Sequence, residues 1–358
     1  MAQKSKQWAA IIMMIALFAM IAFVTNLCSP MATIVKNQFG ASELAGQIGN
    51  YANFIAYLVM GIPSGMLIAK LGYKKTALLA LIVGIVGIVF EYLSGVVGSY
   101  VIYLVGAFIS GLCMCMLNTV VNPLLNVLGG GGKTGNQLIQ IGGAANSAAA
   151  VAVYILMGAL IGEVTKSTGI SDATPALIIA GVIFVIAFVI LLFTKIEEPE
   201  QAKVELSLIT GALKFRQLSL GALAIFLYMS VEVGTPTYMI SYLQTPEVGL
   251  SAGVAGLIAS VYWLMMFVGR SIGGSIGGKV SSRAMVSTVA TAAIALLLFG
   301  IFAPETMKVT VIGIDWGNLE VIYPQVPVCV LAFILVGLCT SVMWGGIFNM
   351  AAEGLGKY

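Results

Sequence analysis

Gly61–Lys75 reads GIPSGMLIAKLGYKK, and a stretch of similar design, GRSIGGSIGGKVSSR, follows 208 residues later at Gly269–Arg283. In both stretches closely spaced glycines end an apolar segment, and cations lie just before the next apolar segment. A pattern that returns at a fixed distance indicates one architectural unit used twice. The sequence therefore predicts two related halves.

The composition is that of a membrane protein. Of the 358 residues, 60% are hydrophobic and 9% are charged, whereas a soluble domain carries about 25% charged residues. Ten apolar runs approach or exceed the roughly 20 residues that a membrane-spanning helix needs, and none alternates like an outer-membrane strand. We predict an all-α integral membrane fold of two helical bundles, an arrangement typical of secondary transporters. The runs cover about 8–34, 48–69, 76–96, 100–128, 138–162, 175–194, 218–243, 251–277, 283–303 and 326–350.

The cations predict the orientation. If the N-terminus is cytoplasmic, all but three of the 17 Lys and Arg residues fall at inner ends or loops. Inner loops favour such residues, so we predict a multi-pass protein of the bacterial inner membrane with a cytoplasmic N-terminus. The net charge of +3 follows from this topology and indicates no nucleic-acid partner. The three exceptions are Lys36, Lys166 and Lys308.

One polar stretch, 195–217, is predicted to be a cytoplasmic linker. It separates an N-terminal six-helix bundle, 1–194, from a C-terminal bundle, 218–358, with four helices present. Gly111-Leu-Cys in the fourth run returns as Gly337-Leu-Cys in the tenth, at an offset of 226. By this symmetry two more helices should follow, so we expect a truncated chain with ten helices of twelve.

Enzyme and metal chemistry find little support. The sequence has no histidine, and its five cysteines all lie in apolar runs. Histidine is the commonest metal ligand and a frequent general base, and reduced cysteine in such runs behaves as a small hydrophobe. We expect no enzyme activity, no metal and no cofactor.

A carboxylate near the centre of the seventh run is the candidate coupling site. An ionised side chain at the position of Glu232 costs at least ~2.5 kcal/mol, so the group is expected to stay neutral when sealed and to lose a proton when water enters. Tyr228 shares its helical face. A protonated carboxyl that merely holds a neighbouring helix is the alternative. Glu91, near the outer end of the third run, is expected to reach water.

Amide side chains provide the candidate substrate ligands. Asn118 and Asn122 lie one turn apart in the fourth run, where unpaired amides cost several kcal/mol. An amide both donates and accepts, as sugar hydroxyls require; the alternative is that these amides join helices. Asn26 and Asn146 extend the set. Trp344 corresponds to Asn118 by the 226-residue offset, and its ring suits stacking on a sugar.

The repeated stretch supplies candidate gating and packing residues. Small residues let helices approach closely, and cations before the next helix are expected to lie at the inner gate. Arg270 is expected to bind helix-end carbonyls or a carboxylate there. The full set is Gly61, Gly65, Lys70, Gly72, Lys74, Gly269, Arg270 and Gly273.

Four stretches resemble the sugar porters of the major facilitator superfamily, similar to the fucose:proton symporter and glucose/galactose transporter family. The resemblance implies two bundles that expose a central sugar site to one side of the membrane at a time. The stretches are LNTVVNPLLNVLG at Leu117–Gly129, Asn146–Ser147, YMSVEV at Tyr228–Val233 and GRSIG at Gly269–Gly273.

The chain departs from that family at its acidic positions. Fucose-type porters carry a carboxylate after Asn-Leu-Asn in the first helix, and here Asn26–Ser29 reads NLCS. Where their fourth helix has Leu-Glu-Thr, this chain has Asn118 in place of the glutamate. The acidic residue usual in the loop signature of the superfamily is replaced here by Ala69 followed by Lys70. The resemblance therefore does not imply proton coupling through those sites.

The predicted function is secondary active import of a neutral sugar or small saccharide by alternating access, in a monomer. The candidates offer amides, hydroxyls and rings with a single carboxylate and no mid-membrane cation for an anionic substrate. Expected partners are the small-molecule substrate, the lipid bilayer and protons through Glu232, with sodium or no coupling left open. An exporter of drugs or metabolites of the same superfamily and a non-transporting nutrient sensor are the alternatives.

Overall fold

The computed structural model describes residues 7–130, 132–162, 164–165, 167–198, 211, 214–276 and 280–352. Residues 1–6 and 199–210 of the predicted N-terminal segment and linker lie outside these ranges. The contacts divide the chain into two compact units, Met1–Ala202 (unit 1) and Lys203–Tyr358 (unit 2). This division falls inside the stretch predicted to be the linker.

Unit 1 consists of six long helices. Serines cap two of them at the N-terminus: the Ala45 N–H donates to Ser42 Oγ at 3.2 Å, and the Ile102 N–H donates to Ser99 Oγ at 3.5 Å. The helices are α1 (Trp8–Phe39), α2 (Glu43–Leu71), α3 (Tyr73–Val97), α4 (Tyr100–Leu128), α5 (Gly132–Ile161) and α6 (Thr174–Phe193), with a 3-10 turn at Ile170–Ala173 before α6.

In the described part of unit 2, three helices precede a group of short strands and two helices follow it. Its helices are α7 (Arg216–Leu243), α8 (Ala252–Ile276), α9 (Ser282–Phe302), α10 (Cys329–Thr340) and α11 (Met343–Ala352). Within the described residues, ten helical segments are long and apolar enough to span a membrane, with Cys329–Phe348 taken as one. The predicted count of ten is confirmed.

A nested pair of hairpins occupies the loop between α9 and α10. Strand β1 (Lys308–Thr310) pairs antiparallel with β4 (Gln325–Pro327), and inside them β2 (Gly313–Asp315) pairs with β3 (Glu320–Ile322). The turn between β2 and β3 is closed by Asp315, whose pKa is lowered by the hydrogen bond from the Asn318 amide. The sequence predicts only a loop here, because strands of three residues are too short to show a period.

The tenth predicted run is interrupted. The helical pattern stops at Ser341–Val342, between α10 and α11. Thr340 Oγ1 donates to the Val336 carbonyl at 3.1 Å, and Ser341 Oγ donates to the Leu338 carbonyl at 2.7 Å. Hydroxyls that bond back to their own helix compete with the backbone and bend it. The single helix expected over 326–350 is therefore corrected to two shorter ones.

The glycines of the repeated stretch behave differently in the two units. A Cβ on Gly269 would come within 2.8 Å of the Leu338 carbonyl oxygen, and one on Gly273 would overlap Val342. These two glycines allow α8 to lie close against the 338–342 segment. A Cβ on Gly61 or Gly65 would meet no atom within 4 Å. No neighbour in the described part of the chain approaches the backbone of Gly61 or Gly65, so their expected hinge and packing role stays a prediction.

The turn between α2 and α3 is a single residue, Gly72. Its φ of 88° and ψ of 170° lie in a region that essentially only glycine adopts. Beyond it, the Glu198 carboxylate accepts the N–H groups of Tyr73 and Lys74 at 2.9 and 2.8 Å. An acid at a helix N-terminus satisfies otherwise unpaired donors and interacts favourably with the helix dipole. Gly72 and Glu198 together fix the angle between the two helices.

We predict that Gly72→Ala lowers the free energy of unfolding by ~1–3 kcal/mol, the usual cost of forcing a side chain into this backbone region. Equilibrium unfolding of the purified protein in mixed micelles, followed by circular dichroism, measures the loss. Gly61→Ala is the matched control: its site is open, and alanine in a helix interior is neutral or gains up to about 1 kcal/mol. Equal stability of the two variants would contradict this account of the turn.

Candidate functional site

Two of the polar candidates of unit 1, Asn118 and Asn122, lie one turn apart on α4, where Asn118 contacts α2. Asn118 Nδ2 donates to the Tyr57 hydroxyl at 2.9 Å, and Asn122 Nδ2 donates to the Asn118 carbonyl at 3.1 Å. Asn122 Oδ1 is buried, and no donor in the described part of the chain reaches it. A buried acceptor without a donor is costly, so Asn122 offers an unused hydrogen-bonding atom beside Asn118.

A proline opens the same turn of α4. Pro123 lies inside the helix and has no N–H, so the Thr119 carbonyl loses its usual helical donor. In the same turn, the Thr119 hydroxyl Oγ1 donates to the Cys115 carbonyl at 2.8 Å. Asn118, Thr119 and Asn122 therefore gather amide, hydroxyl and carbonyl groups in one turn of an otherwise apolar helix.

Asn26 and Asn146 make different contacts. Asn26 is buried and donates to the Ala22 carbonyl of its own helix at 2.8 Å. Asn146 is half-buried and donates to the Phe18 carbonyl of α1 at 2.8 Å, which ties α5 to α1. Their Nδ2 groups are thus engaged by backbone, and the structure brings neither residue into the hydrogen-bonded group of Tyr57, Asn118 and Asn122.

Unit 2 has a buried ion pair. Arg270 Nη2 of α8 lies 3.5 Å from Glu232 Oε1 of α7, with side-chain exposures of 13% and 9%. The contact is longer than the 2.7–2.9 Å of a tight charge-assisted hydrogen bond. The buried Tyr228 hydroxyl lies near Glu232 without completing a hydrogen bond to it. Pro236, four residues after Glu232, removes the helical donor to the Glu232 carbonyl.

This pair bears on two expectations. Arg270 was expected to bind helix-end carbonyls or a carboxylate at the inner gate, and its guanidinium lies beside the carboxylate of Glu232, near the middle of α7. The expected absence of a cation at this depth is therefore wrong. Because the charge of Arg270 is matched by Glu232, the pair as a whole adds no net charge to unit 2.

Unit 2 also contains a stacked aromatic pair. Trp344 is half-buried and stacks on the exposed Phe348, with ring centroids 5.4 Å apart and planes within 3°. Separately, Tyr262 and Thr340 share a hydrogen bond of 3.0 Å between α8 and α10. The stacked pair offers a flat apolar surface of the kind that binds sugar rings.

Two of the predicted gating cations, Lys70 and Lys74, lie beside the α2–α3 turn of unit 1. Lys74 Nζ donates to the Leu192 and Thr194 carbonyls at 2.9 and 2.8 Å, and so caps the C-terminal end of α6. Lys70 is exposed at the end of α2. With Glu198 bound to the N-terminus of α3, this end of unit 1 is held by a reciprocal exchange between the α2–α3 turn and the segment after α6.

The family assignment follows from the sequence match and agrees with this architecture. A family model described as Major Facilitator Superfamily matches residues 13–358. The chain belongs to the major facilitator superfamily. The described residues form ten apolar helices in two units. Each unit has one helix in which polar candidate residues lie within about a turn of a proline, Pro123 or Pro236.

Curated relatives of this superfamily member are sugar transporters. A glucose/galactose transporter of Brucella abortus biovar 1 (strain 9-941) is 24% identical over 349 residues, covering 96% of this chain and 79% of the relative. The L-fucose-proton symporter of Escherichia coli (strain K12) is 22% identical over 337 residues, covering 87% of this chain and 77% of the relative.

Solved structures confirm the fold of the superfamily. The transporter FucP in its outward conformation aligns with a TM-score of 0.75 at 19% identity, covering 99% of this chain and 86% of that structure. A mutant of the nucleoside transporter NupG aligns with a TM-score of 0.61 at 13% identity, covering 99% of this chain and 89% of that structure. At these identities the likeness concerns the fold.

Sequence reasoning missed two residues of the site and misplaced a third. Tyr57 has no polar neighbour within a turn except Asn53, so nothing marked it as the partner of Asn118. Glu198 lies in a polar stretch that gave no sign of folding back on α3. Glu91 was expected to reach water, but it is buried and accepts the Ser110 hydroxyl at 2.8 Å.

Proposed function

We propose that this protein is a secondary transporter that moves a neutral sugar across the membrane by alternating access. The observation that carries the proposal is the group of Tyr57, Asn118 and Asn122, which gathers donors and acceptors inside a membrane-spanning helix pair and leaves Asn122 Oδ1 unbonded within the described residues. Sugar hydroxyls both donate and accept, which suits these atoms. The relatives named as glucose/galactose and L-fucose transporters support the same substrate class.

The charges favour a neutral substrate. The ion pair of Glu232 and Arg270 is self-neutralised, and the other candidates are amides, a phenol and an indole. An anionic sugar would need an unmatched cation, and a cationic drug would need an unmatched acid. The stacked rings of Trp344 and Phe348 provide the apolar surface that a pyranose ring uses. We propose that Tyr228 and Trp344 of unit 2 bind substrate, and that Asn26 and Asn146 of unit 1 are further substrate-binding residues.

Proton coupling is proposed to act at Glu232. The Glu232–Arg270 contact of 3.5 Å is longer than a tight charge-assisted hydrogen bond, so a proton on Glu232 would disrupt this ion pair at modest cost. Loss of this ion pair would change the contact between α7 and α8 as the transporter changes state. A symporter named for protons among the relatives supports this coupling ion.

We further propose a monomer in the bacterial inner membrane with a cytoplasmic N-terminus. The supporting observation is the distribution of lysine and arginine, which places Lys70, Lys74 and Arg216 at helix ends that would face the cytoplasm. In this orientation Gly72 and Glu198 shape the cytoplasmic end of unit 1, and the hairpins between α9 and α10 face the periplasm.

We predict that the protein in liposomes takes up at least one of D-glucose, D-galactose and L-fucose against its gradient when the outside is acidic. Tyr57→Phe should weaken the affinity for that sugar about fivefold, because Asn118 loses an acceptor worth about 1 kcal/mol. Radiolabelled uptake measures both. Tyr92→Phe, on the exposed face of α3, is the matched control and should match the wild type.

Failure of every sugar on this panel, together with efflux of a cationic dye from the same liposomes, would contradict the proposal and favour the drug exporter. Binding of a sugar without any flux would instead favour the nutrient sensor. Equal affinity in Tyr57→Phe and the wild type would remove the α2–α4 group from the binding site while leaving sugar transport itself intact.

We predict that Glu232→Gln abolishes uphill accumulation but keeps exchange of sugar for sugar, because the amide imitates a permanently protonated carboxyl. Counterflow and gradient-driven uptake in the same liposome preparation measure the two activities. Unchanged uphill uptake in the variant would remove Glu232 from coupling. Glu247→Gln, at an exposed loop position after α7, is the control for loss of one carboxylate.

A further inference from the structure

Glu91 is a second buried carboxyl group, and it lies in unit 1. It is 8% exposed, and Ser110 Oγ of α4 donates to its Oε1 at 2.8 Å. The two helices are held together here by glycines: a Cβ on Gly106 would come within 2.8 Å of the Glu91 side chain, and one on Gly87 within 2.8 Å of the Ser110 backbone. The carboxyl is therefore enclosed by α4 and cannot swing to the surface without parting the helices.

No cation in the described part of the chain balances Glu91. No lysine or arginine among those residues lies within salt-bridge distance of it, in contrast to Glu232. Lys70, the single cation of α2, lies in the last turn of α2, beside the start of α3, whereas Glu91 lies near the C-terminal end of α3. An ionised carboxylate sealed in a low-dielectric site without a partner is strongly disfavoured. The packed arrangement therefore favours the protonated form of Glu91.

The titratable and polar neighbours of Glu91 come from several helices. Cys28 of α1 and Tyr103 of α4 lie within electrostatic range of it. Helix α6 contains no titratable residue, and Asp172 of the 3-10 turn is exposed and accepts the Gly169 N–H at 2.8 Å. The surroundings of Glu91 are therefore neutral groups able to exchange hydrogen bonds.

Further polar groups follow along α2 and α4 from Ser110 to Asn118. Next to Ser110, Gly111 packs against the backbone of Asn53 on α2. Asn53 Nδ2 donates to Cys28 Sγ at 3.4 Å, and its buried Oδ1 has no donor in the described part of the chain. One turn further along α2 is Tyr57, the partner of Asn118. Ser110 and Asn118 are eight residues apart on α4, about 12 Å.

We propose that Glu91 is a proton-binding site of unit 1, coupled to the Tyr57–Asn118 group through the α2–α4 contact. This proposal rests on the proposed transport function. Parting of α3 from α4, or movement of α2 along α4, would admit water to Glu91 and let the proton leave. Among the described residues each unit then has one buried carboxyl group proposed to bind a proton, Glu91 and Glu232, and neither lies at the acidic positions of the fucose-type porters.

The first test is infrared difference spectroscopy of the purified protein in nanodiscs during a pH titration. We expect the C=O band of a protonated carboxyl that titrates in the wild type and in Glu232→Gln and that is missing in Glu91→Gln. Ser110→Ala keeps the carboxyl but removes its hydrogen bond, so the band should remain at a higher wavenumber. A spectrum of Glu91→Gln identical to the wild type would overturn the proposal.

The second test is transport by the same variants. Glu91→Gln should keep sugar exchange and reach a lower accumulation ratio than the wild type in the same proton gradient, while Ser110→Ala still accumulates. Loss of the band with an unchanged accumulation ratio would show a purely structural carboxyl and overturn the proposal. If the wild type carries no sugar on the panel, the proposed function fails, and whether the Glu91 band titrates still decides this inference.

Discussion

Polar side chains inside a membrane must be paired or reach water, and this constraint governs the whole protein. Only about a tenth of the residues are charged, and the buried polar groups follow recognisable solutions. Some bond back to their own helix, as Asn26 does. Others join two helices, as Asn146 does, and Glu232 pairs with Arg270. Asn122 Oδ1 and Asn53 Oδ1 are buried and accept no hydrogen bond from the described residues. A donor from water or substrate is needed at these two atoms.

The same constraint links stability to function. Prolines at 123 and 236 each remove a backbone donor in a membrane helix, and Asn118, Asn122 and Glu232 lie within about one turn of them. A helix weakened at one turn has carbonyl groups to offer and can bend there. The contacts elsewhere are tight, as Gly106 against Glu91 and Gly269 against Ser341 show. Movement is thus more easily absorbed at the polar turns than at the glycine-lined contacts.

The sequence was sufficient for the architecture and for part of the site. Length and polarity of the apolar runs decide the ten helices, because burial of backbone groups in lipid permits little else. The spacing of Asn118 and Asn122 correctly placed them on one face. The side-chain contacts between helices could not be predicted from the sequence, because they depend on how each helix is rotated about its axis. These contacts are Tyr57 with Asn118, Arg270 with Glu232 and Ser110 with Glu91. Glu91 was misjudged because distance from a helix end says nothing about which side faces a neighbour.

The central claim is that the polar turn of α4 meets water on the transport path. The direct measurement is reaction of Asn118→Cys with a membrane-impermeant thiol reagent, with and without sugar, against Val105→Cys on an exposed apolar position of the same helix. The native cysteines are buried, so the unsubstituted protein gives the background. The account predicts that Asn118→Cys reacts, that sugar slows it, and that Val105→Cys stays near background. An Asn118→Cys variant as unreactive as Val105→Cys would contradict it.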